Sequence, residues 1–291
     1  MVAVYAASFH GTLEILDYFN ITAFFITGIS RGIGRCVAEA LLAEGAFVAG
    51  CARHASGLER FSATLTAEQR DRLLVAEADV GDRERLAQLV TEAGSTFGRL
   101  DGVVANAGAG TSGGVLETPD SDWDDQVRIK MQSVLNLVRP AIPALSSSDH
   151  GRVVIMNSIT ARWPDPSMAA VSAARAAVAS VATSLAVELS ADGILVNTVN
   201  LGAIATERQV ARHRDSGTTL TYDEWAARES VRRGILLGRF GQPDEVVPAV
   251  LLLLSPVASY ITGTTIDVAG GVFSMPGAVP TSTTPPETKI D

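Results

Sequence analysis

One glycine-rich turn constrains the fold of this 291-residue chain more than any other feature. The turn, Thr27-Gly28-Ile29-Ser30-Arg31-Gly32-Ile33-Gly34, follows the short apolar run Phe24-Phe25-Ile26. An amphipathic segment continues from it to Glu44. A strand that stops, turns sharply and opens a helix leaves the first N–H groups of that helix unpaired, and glycines allow a pyrophosphate to approach them. The sequence therefore predicts a dinucleotide-binding turn.

Strand and helix patterns alternate after this turn. A helix over Cys36–Ala43 precedes a buried strand over Ala46–Cys51, and a third strand over Leu73–Ala78 precedes a helix over Arg83–Phe97. A fourth strand covers Leu100–Ala105. Such alternation is typical of a parallel sheet with helices on both faces. With no internal repeat and no second domain in the sequence, we expect an α/β protein, a single-domain Rossmann fold with a doubly wound parallel sheet.

The composition limits the partners and the location of the protein. Hydrophobic residues make up 47% and charged residues 19%, a globular balance, and no apolar run approaches the roughly 20 residues that cross a bilayer. A net charge of −9 argues against nucleic acid, whose phosphates need basic patches. Cys36 and Cys51 lack metal-ligand spacing and are expected to be free thiols. We expect a soluble, cytoplasmic protein with no metal, no membrane and no nucleic-acid partner.

Two terminal segments differ from the predicted domain, which covers residues 21–273. Residues 1–20 form an N-terminal extension without the pattern of a cleaved signal sequence. Residues 274–291 are rich in Pro, Thr and Ser and are expected to be a disordered tail.

The residues after the second strand predict the choice of cofactor. Proteins of this fold that select NAD carry an acid there for the ribose 2′-OH, whereas this chain has Ala52-Arg53. Arg53, together with Arg31 of the turn, would pair with a 2′-phosphate, which favours NADPH. The alternative is that both are solvated surface arginines. Asp79 and Val80, after the third strand, are candidates for contact with the adenine.

Several ordered motifs resemble those of the short-chain dehydrogenase/reductase family. They include Thr-Gly-x-x-x-Gly-x-Gly in the turn, Asn106-Ala107-Gly108, the strand Gly151–Ser158, and the segment Val196–Gly202 followed by Thr206. The resemblance implies a mainly seven-stranded sheet and a variable lid over residues 207–234. It also implies phosphate contacts from Gly28, Ser30, Gly32, Ile33 and Gly34, ribose contacts from Asn106, Gly108 and Arg175, and carboxamide contacts from Ile204 and Thr206.

The sequence departs from the family at the active site. The family uses an Asn, a Ser and a Tyr-x-x-x-Lys pair, in which the tyrosine transfers the proton. Ser158 is present, but the tyrosine position is Val171, the lysine position is Arg175, and the asparagine falls on Lys130. Valine cannot exchange a proton, and arginine is a poor proton shuttle although it can hold a ribose hydroxyl. We expect normal cofactor binding and altered chemistry.

Reduction of an imine or iminium is the first hypothesis for that chemistry, because an iminium needs no acid. Its cation would want a carboxylate, and the loop Trp163-Pro164-Asp165-Pro166 offers Asp165. Lys130 would pair with Asp165 or deliver a proton itself. The loop is similar to a motif of the malbrancheamide and paraherquamide type of reductase/Diels–Alderases, which implies secondary metabolism, an alkaloid substrate and a coupled cyclisation. The alternative is that Asp165 caps the following helix or faces solvent.

Two other functions remain open. A bulky ketone would be reduced if Lys130 or Tyr222 of the lid replaced the missing acid, although Tyr222 would equally pack on the domain. A non-redox cyclase or binding protein would use NADP(H) as a scaffold. Trp163 would stack on a flat substrate or anchor its loop.

The expected partners are a small molecule and further copies of the chain. Hydrophobic lid residues suggest a bulky, apolar substrate, although core packing explains them equally well. The resemblance implies a homodimer or homotetramer, built by pairing the helix that contains Trp123–Ala144 and the helix Met168–Leu189 across subunits.

Overall fold

The seven strands of the described residues join one parallel sheet, as the sequence and the family resemblance imply. The computed structural model describes residues 18–272, so the predicted tail and nearly all of the predicted extension lie outside the described residues. The strands are β1 (Ala23–Thr27), β2 (Phe47–Ala52), β3 (Leu73–Glu77), β4 (Gly102–Ala105), β5 (Arg152–Ser158), β6 (Leu195–Leu201) and β7 (Thr265–Val268).

Ten α-helices connect or flank these strands in the described part of the chain. They are α1 (Gly32–Ala43), α2 (Ala55–Ser62), α3 (Ala67–Asp71), α4 (Arg83–Phe97), α5 (Asp120–Val127), α6 (Ser133–Ser146), α7 (Ala169–Glu188), α8 (Glu207–Asp215), α9 (Tyr222–Arg232) and α10 (Val247–Leu254). Four short 3₁₀ turns cover Ile159–Ala161, Leu189–Asp192, Pro243–Val246 and Pro256–Ala258.

The strand order reverses between β1 and β4. The order across the sheet is β3-β2-β1-β4-β5-β6-β7, and β1 pairs with both β2 and β4 in parallel. Connections from β1 and β4 therefore leave in opposite directions and open a crevice at the carboxyl ends of these strands, where this architecture binds ligands.

Each face of the sheet has its own apolar core. Phe25 of β1 points toward the layer formed by α4, α6 and α7, whereas its neighbours Phe24 and Ile26 point toward α1 and α10. This alternation explains why β1 is an unbroken apolar run, since a parallel strand is covered on both faces. Phe19, assigned above to the extension, is 1% exposed and packs edge-on against Phe24, so the packed domain includes it.

The first helix is longer than its apolar pattern indicates. α1 begins at Gly32, four residues before the predicted start at Cys36. The glycine turn itself provides the first helical turn, which carries no apolar stripe that would reveal it. The helix α7 agrees with its predicted span of 168–189 to within one residue at each end.

The expectation that no segment has the length and hydropathy of a membrane span is wrong for α7 and the turn after it. Residues Ala169–Asp192 meet both criteria. In the fold, Val178, Ala182 and Leu185 of this helix pack into the core beneath the sheet. The apolar composition of α7 therefore serves its contact with the sheet.

A π-helical turn over Arg128–Gln132 separates α5 from α6 within one long helical segment. The turn packs against α7, and Lys130 is at its centre. Such π turns arise where one extra residue is accommodated in a helix, and they are frequent at functional sites.

Candidate active site

A cleft of about 490 Å³ lies at the carboxyl ends of the strands, around the reversal of strand order. All but one of the residues predicted to bind the cofactor line it, and Ser158 lines it as well. The predicted residues in its wall are Gly28, Ser30, Arg31, Gly32, Ile33, Arg53, Asp79, Val80, Asn106, Gly108, Ser158, Arg175, Ile204 and Thr206.

The glycine turn is shaped by two residues with positive φ. Gly28 has φ +71° and Gly32 has φ +56°, a left-handed conformation that residues with a Cβ rarely adopt. The Gly28 N–H donates to the Cys51 carbonyl at 2.8 Å, which fixes the turn to the end of β2. The N-terminus of α1 thus opens toward the cleft, with N–H groups available to phosphate oxygens.

Gly34 has a different role from the predicted phosphate contact. It does not line the cleft. A Cβ atom at this position would collide with the Asn106 amide nitrogen and with the Gly28 carbonyl oxygen. The third glycine of the motif is therefore required because α1 packs closely against the ends of β1 and β4.

Asn106 fastens β4 to the glycine turn. Its backbone N–H donates to the Thr27 hydroxyl at 3.0 Å, and its side-chain amide donates to the Thr27 carbonyl at 2.9 Å. The stretch from Asn106 to Ala109 is thereby held beside the turn, where it lines the cleft.

One end of the cleft is rich in arginine. Arg31 and Arg53 both line it there, and Arg60 of α2 joins them. None of these three belongs to an ion pair within residues 18–272. Guanidinium groups bind phosphate oxygens in a bidentate manner, so this end fits the 2′-phosphate of a dinucleotide.

Arg208 is a cleft residue that the sequence analysis did not identify. It is in the first turn of α8, and its guanidinium donates to the Gly108 carbonyl at 2.6 Å. Desolvation lowers its pKa, and the charge of Arg31 lowers that pKa further, so the two guanidinium groups are neighbours. The sequence indicates this role only through a basic residue two positions after Thr206, in the segment expected to be a variable lid.

Ser158 ends β5 with its hydroxyl at the cleft. The hydroxyl accepts from the backbone N–H and from the hydroxyl of Thr160, at 3.2 and 3.0 Å. These contacts hold the Ser158 oxygen in one orientation, as is needed for a group that positions a substrate oxygen.

Val171 and Arg175 occupy successive turns of α7 beside the stretch Gly108–Gly110. Val171 is 8% exposed. Its Cγ2 lies close to Gly110, since a Cβ atom added to this glycine would be 3.6 Å from it. One Arg175 nitrogen donates to the Met156 carbonyl at 2.8 Å, while its Nε is buried without a partner. Desolvation and the charge of Arg208 lower the pKa of Arg175 to about 10.

Lys130 is 3% exposed behind the same stretch. Its Nζ donates to the Ala109 carbonyl, and Ala109 itself lines the cleft. Desolvation, followed by the charges of Arg175 and Arg208, lowers the pKa of Lys130 to about 6. An amine with such a pKa both accepts and donates a proton near neutral pH.

The structure does not join Asp165 to Lys130. The Asp165 Oδ1 accepts from the backbone N–H and the hydroxyl of Ser167, at 2.9 and 2.7 Å, in a turn before α7. Although burial raises the pKa of Asp165, the Ser167 hydrogen bonds hold it below its ordinary value. No ion pair within residues 18–272 links this carboxylate to Lys130, so the expected pair is wrong. The Asp165 carboxylate instead stabilises the local turn through Ser167.

Neither aromatic candidate lines the cleft. The Tyr222 ring packs in the lid with His213 and Trp225, at centroid distances of 5.8 and 5.9 Å. Its hydroxyl is buried and has no hydrogen-bond partner in the described part of the chain. The Trp163 ring has the Arg162 guanidinium 5.9 Å from its centroid. Tyr222 therefore follows the alternative given above, packing on the domain.

Comparison with known proteins gives the same family as the motifs. A family model described as enoyl-(acyl carrier protein) reductase matches residues 28–273. The 3-oxoacyl-[acyl-carrier-protein] reductase FabG of Haemophilus influenzae is 33% identical over 248 residues, which are 85% of this chain and 96% of that reductase.

Solved structures of similar reductases superpose closely. An NADPH-bound short-chain oxidoreductase from Pseudomonas aeruginosa PAO1, described as containing an atypical catalytic center, is 33% identical with a TM-score of 0.83, over 89% of this chain and 99% of that one. The L-sorbose reductase of Gluconobacter frateurii, solved with NADPH and L-sorbose, is 26% identical with a TM-score of 0.83, over 89% of this chain and 100% of that one. The motifs, the strand order and these matches together establish that this chain belongs to the short-chain dehydrogenase/reductase family.

Proposed function

We propose that this protein is an NADPH-dependent oxidoreductase that reduces a carbonyl group at a non-standard active site, with Lys130 as the proton donor. The observation that carries the proposal is the buried Lys130 amine directly behind the cleft wall at Ala109. Val171 removes the acid of the family, and Lys130 is the group nearby whose pKa of about 6 suits proton transfer.

The cofactor assignment rests on residues in the cleft. Gly28, Gly32 and the N-terminus of α1 would hold the diphosphate, and Arg31 and Arg53 would hold the 2′-phosphate. The similar Pseudomonas and Gluconobacter proteins were both solved with NADPH. When bound, NADPH supplies a hydride to the electrophilic carbon of the substrate. Arg175 would hold the ribose next to the nicotinamide, in place of the family's lysine.

Lys130 can serve as the acid without losing its present contact. An ammonium group has three N–H donors, and the contact with the Ala109 carbonyl uses one of them. In the proposed step, a substrate oxygen takes a proton from Nζ while the Ser158 hydroxyl positions that oxygen. Arg175 cannot replace Lys130 in this step, because its pKa of about 10 remains well above neutral pH.

The iminium hypothesis has less support. An iminium substrate is a cation, and the groups around this part of the cleft are Lys130, Arg175 and Arg208. Asp165, the carboxylate that would have balanced the iminium, is engaged by Ser167. Without that carboxylate, neither the coupled cyclisation nor an alkaloid substrate gains an argument from the described residues.

The test is NADPH oxidation by the purified chain with two sets of compounds, bulky ketones and cyclic imines. We expect turnover of ketones, and Lys130→Met should lower kcat by about 10²-fold or more while the KM for NADPH stays within about twofold. If the protein turns over imines alone and Lys130→Met has the same activity as the wild type, the reaction is an imine reduction that needs no protein acid, and the proposal is wrong. Tight NADPH binding without oxidation of any compound would favour a non-redox role.

A further inference from the structure

We infer that the substrate carries a carboxylate next to the reacting carbonyl, as in a 2-oxo acid, and that Lys130 and Arg175 bind this carboxylate. The inference rests on the proposed function and names its substrate class. In the balanced reaction, a 2-oxo acid takes a hydride on its carbonyl carbon and a proton on its oxygen, giving the 2-hydroxy acid and NADP⁺.

Three side chains converge on one short piece of the cleft wall. Nζ of Lys130 donates to the Ala109 carbonyl. A terminal nitrogen of Arg175 lies close to Gly108, since a Cβ atom added to this glycine would be 3.4 Å from it. Val171 approaches the neighbouring Gly110 in the same way. Two basic side chains and one apolar side chain therefore surround the stretch Gly108–Gly110, of which Gly108 and Ala109 line the cleft.

Neither cation has a carboxylate partner. No ion pair within residues 18–272 includes Lys130 or Arg175. Nε of Arg175 is buried and makes no hydrogen bond there. Arg175 stays charged at neutral pH, and Lys130 becomes charged when it takes up a proton. Because an unpaired buried charge costs free energy, a site with these two groups favours an anionic ligand.

The phosphates of NADPH account for other cations of the cleft. Arg31 and Arg53 line its arginine-rich end, and Arg208 is their neighbour. Lys130 and Arg175 instead lie beside the stretch Gly108–Gly110, through the contacts with Ala109 and Gly108. The 2′-phosphate and diphosphate thus leave Lys130 for another anion, together with the N–H donors of Arg175 that the Met156 carbonyl and the ribose do not use.

One amine can serve both functions only if the carboxylate is close to the carbonyl. With three N–H donors, Lys130 can contact a carboxylate oxygen and the adjacent carbonyl oxygen together. The charged groups facing Lys130 are Arg175 from α7 and Arg208 from α8. A bound carboxylate would offset their repulsion and raise the pKa of Lys130. Binding of the substrate would therefore protonate the amine that donates the proton.

Calorimetry on the NADP⁺ complex tests the anion site without turnover. The probes are benzoate and benzamide, which differ in charge but hardly in shape. We expect benzoate to bind at least about tenfold more tightly near neutral pH, with proton uptake that appears as a buffer-dependent binding enthalpy. Lys130→Met should abolish the proton uptake and clearly lower the preference, because only Arg175 then remains to bind the carboxylate. Arg139→Gln changes the exposed arginine of α6 and should behave as the wild type.

Kinetics with benzoylformate and its methyl ester completes the test. A kcat/KM at least about tenfold higher for the acid supports the inference. Equal binding of the two probes, or an undiminished preference for benzoate in Lys130→Met, would overturn it even if ketones are reduced. Benzoate preference and proton uptake without reduction of any carbonyl would uphold the anion site and reject the proposed reductase.

Discussion

At the scale of single residues, Lys130 is the position where the proposed chemistry costs the fold the most stability. The π turn places an ionisable amine at 3% exposure beside two guanidinium groups, and it has no ion pair with a carboxylate among the described residues. An ionisable group buried against like charges is typical of functional sites, which supports the role proposed for Lys130.

Lys130→Met is expected to stabilise the protein in a pH-dependent way. The pKa of Lys130 falls from 10.5 to about 6 on folding, so between these values the unfolded chain binds more protons. Wild-type stability therefore rises with pH in that window, by at most about 1.4 kcal/mol per unit. The Lys130→Met variant lacks this contribution to the pH dependence of the free energy of unfolding. Thermal melts should show the largest gain in Tm at and below pH 6 and almost none near pH 10.5. A gain that does not change with pH would contradict the burial of a titrating amine.

Arg53→Ala tests the recognition of the 2′-phosphate. Removing one charged hydrogen-bonding partner should weaken NADPH by about 10- to 100-fold and leave NADH nearly unchanged. Fluorescence titration of both nucleotides measures this. Arg83→Ala, an exposed arginine at the start of α4 and outside the cleft, is the matched control. Equal losses for NADPH and NADH would show that Arg53 does not contact the 2′-phosphate.

At the scale of elements, the glycine turn and α1 act as one unit, because their glycines have different functions. Gly28 and Gly32 supply positive φ, whereas Gly34 supplies the space in which the Asn106 amide holds β4 against β1. A change at Gly34 therefore acts on the cofactor site through packing.

Gly34→Ala is expected to destabilise the protein and weaken NADPH binding, because its Cβ would collide with backbone and with the Asn106 side chain. We expect a loss of about 1–3 kcal/mol in chemical unfolding, typical of an overpacked site. Gly94→Ala places the same methyl group in α4, where no atom is within 4 Å, and should stabilise by about 0.5–1 kcal/mol. Similar effects of the two substitutions would mean that the tight contact at Gly34 is not formed.

At the scale of the whole molecule, an acidic protein has a cationic cleft. The net charge is −9, yet Arg31, Arg53, Arg175 and Arg208 all line one site. Local positive potential of this kind attracts anionic ligands despite the overall charge, and salt screens it.

The KM for NADPH should therefore rise about tenfold between about 0.05 M and about 0.5 M salt. The KM for NADH, which lacks the 2′-phosphate, should rise clearly less. Initial rates with one ketone and varied nucleotide measure both constants. The same increase for NADH and NADPH would place the sensitivity to salt outside the 2′-phosphate site.

The fold was largely predictable from the sequence because its signals are local. Apolar runs such as Phe24–Ile26 are buried on both faces, and the motifs at Gly28 and Asn106 fix the order of elements around the reversal. The cofactor cleft followed from these motifs, with Gly34 as the exception. Its packing role depends on the distance between α1 and Asn106, which no local pattern reports.

The chemistry was less predictable because it depends on contacts between distant segments. Asp165 looked available in the sequence, but the nearby Ser167 engages it. Arg208 looked like part of a variable lid, but α8 brings it back to Gly108, a hundred residues earlier. The low pKa of Lys130 arises first from burial and then from the charges of Arg175 on α7 and Arg208 on α8, so its sequence neighbours could not indicate it.

The pH dependence of kcat/KM at saturating NADPH, compared between wild type and Lys130→Met, tests the central claim most directly. If protonated Lys130 is the donor, wild-type kcat/KM is constant at low pH and falls tenfold per unit above a break near pH 6, the pKa of this buried amine. The variant should be slower by about 10²-fold or more, and the break should disappear. The same break at unchanged rate in Lys130→Met would contradict the assignment of the proton donor.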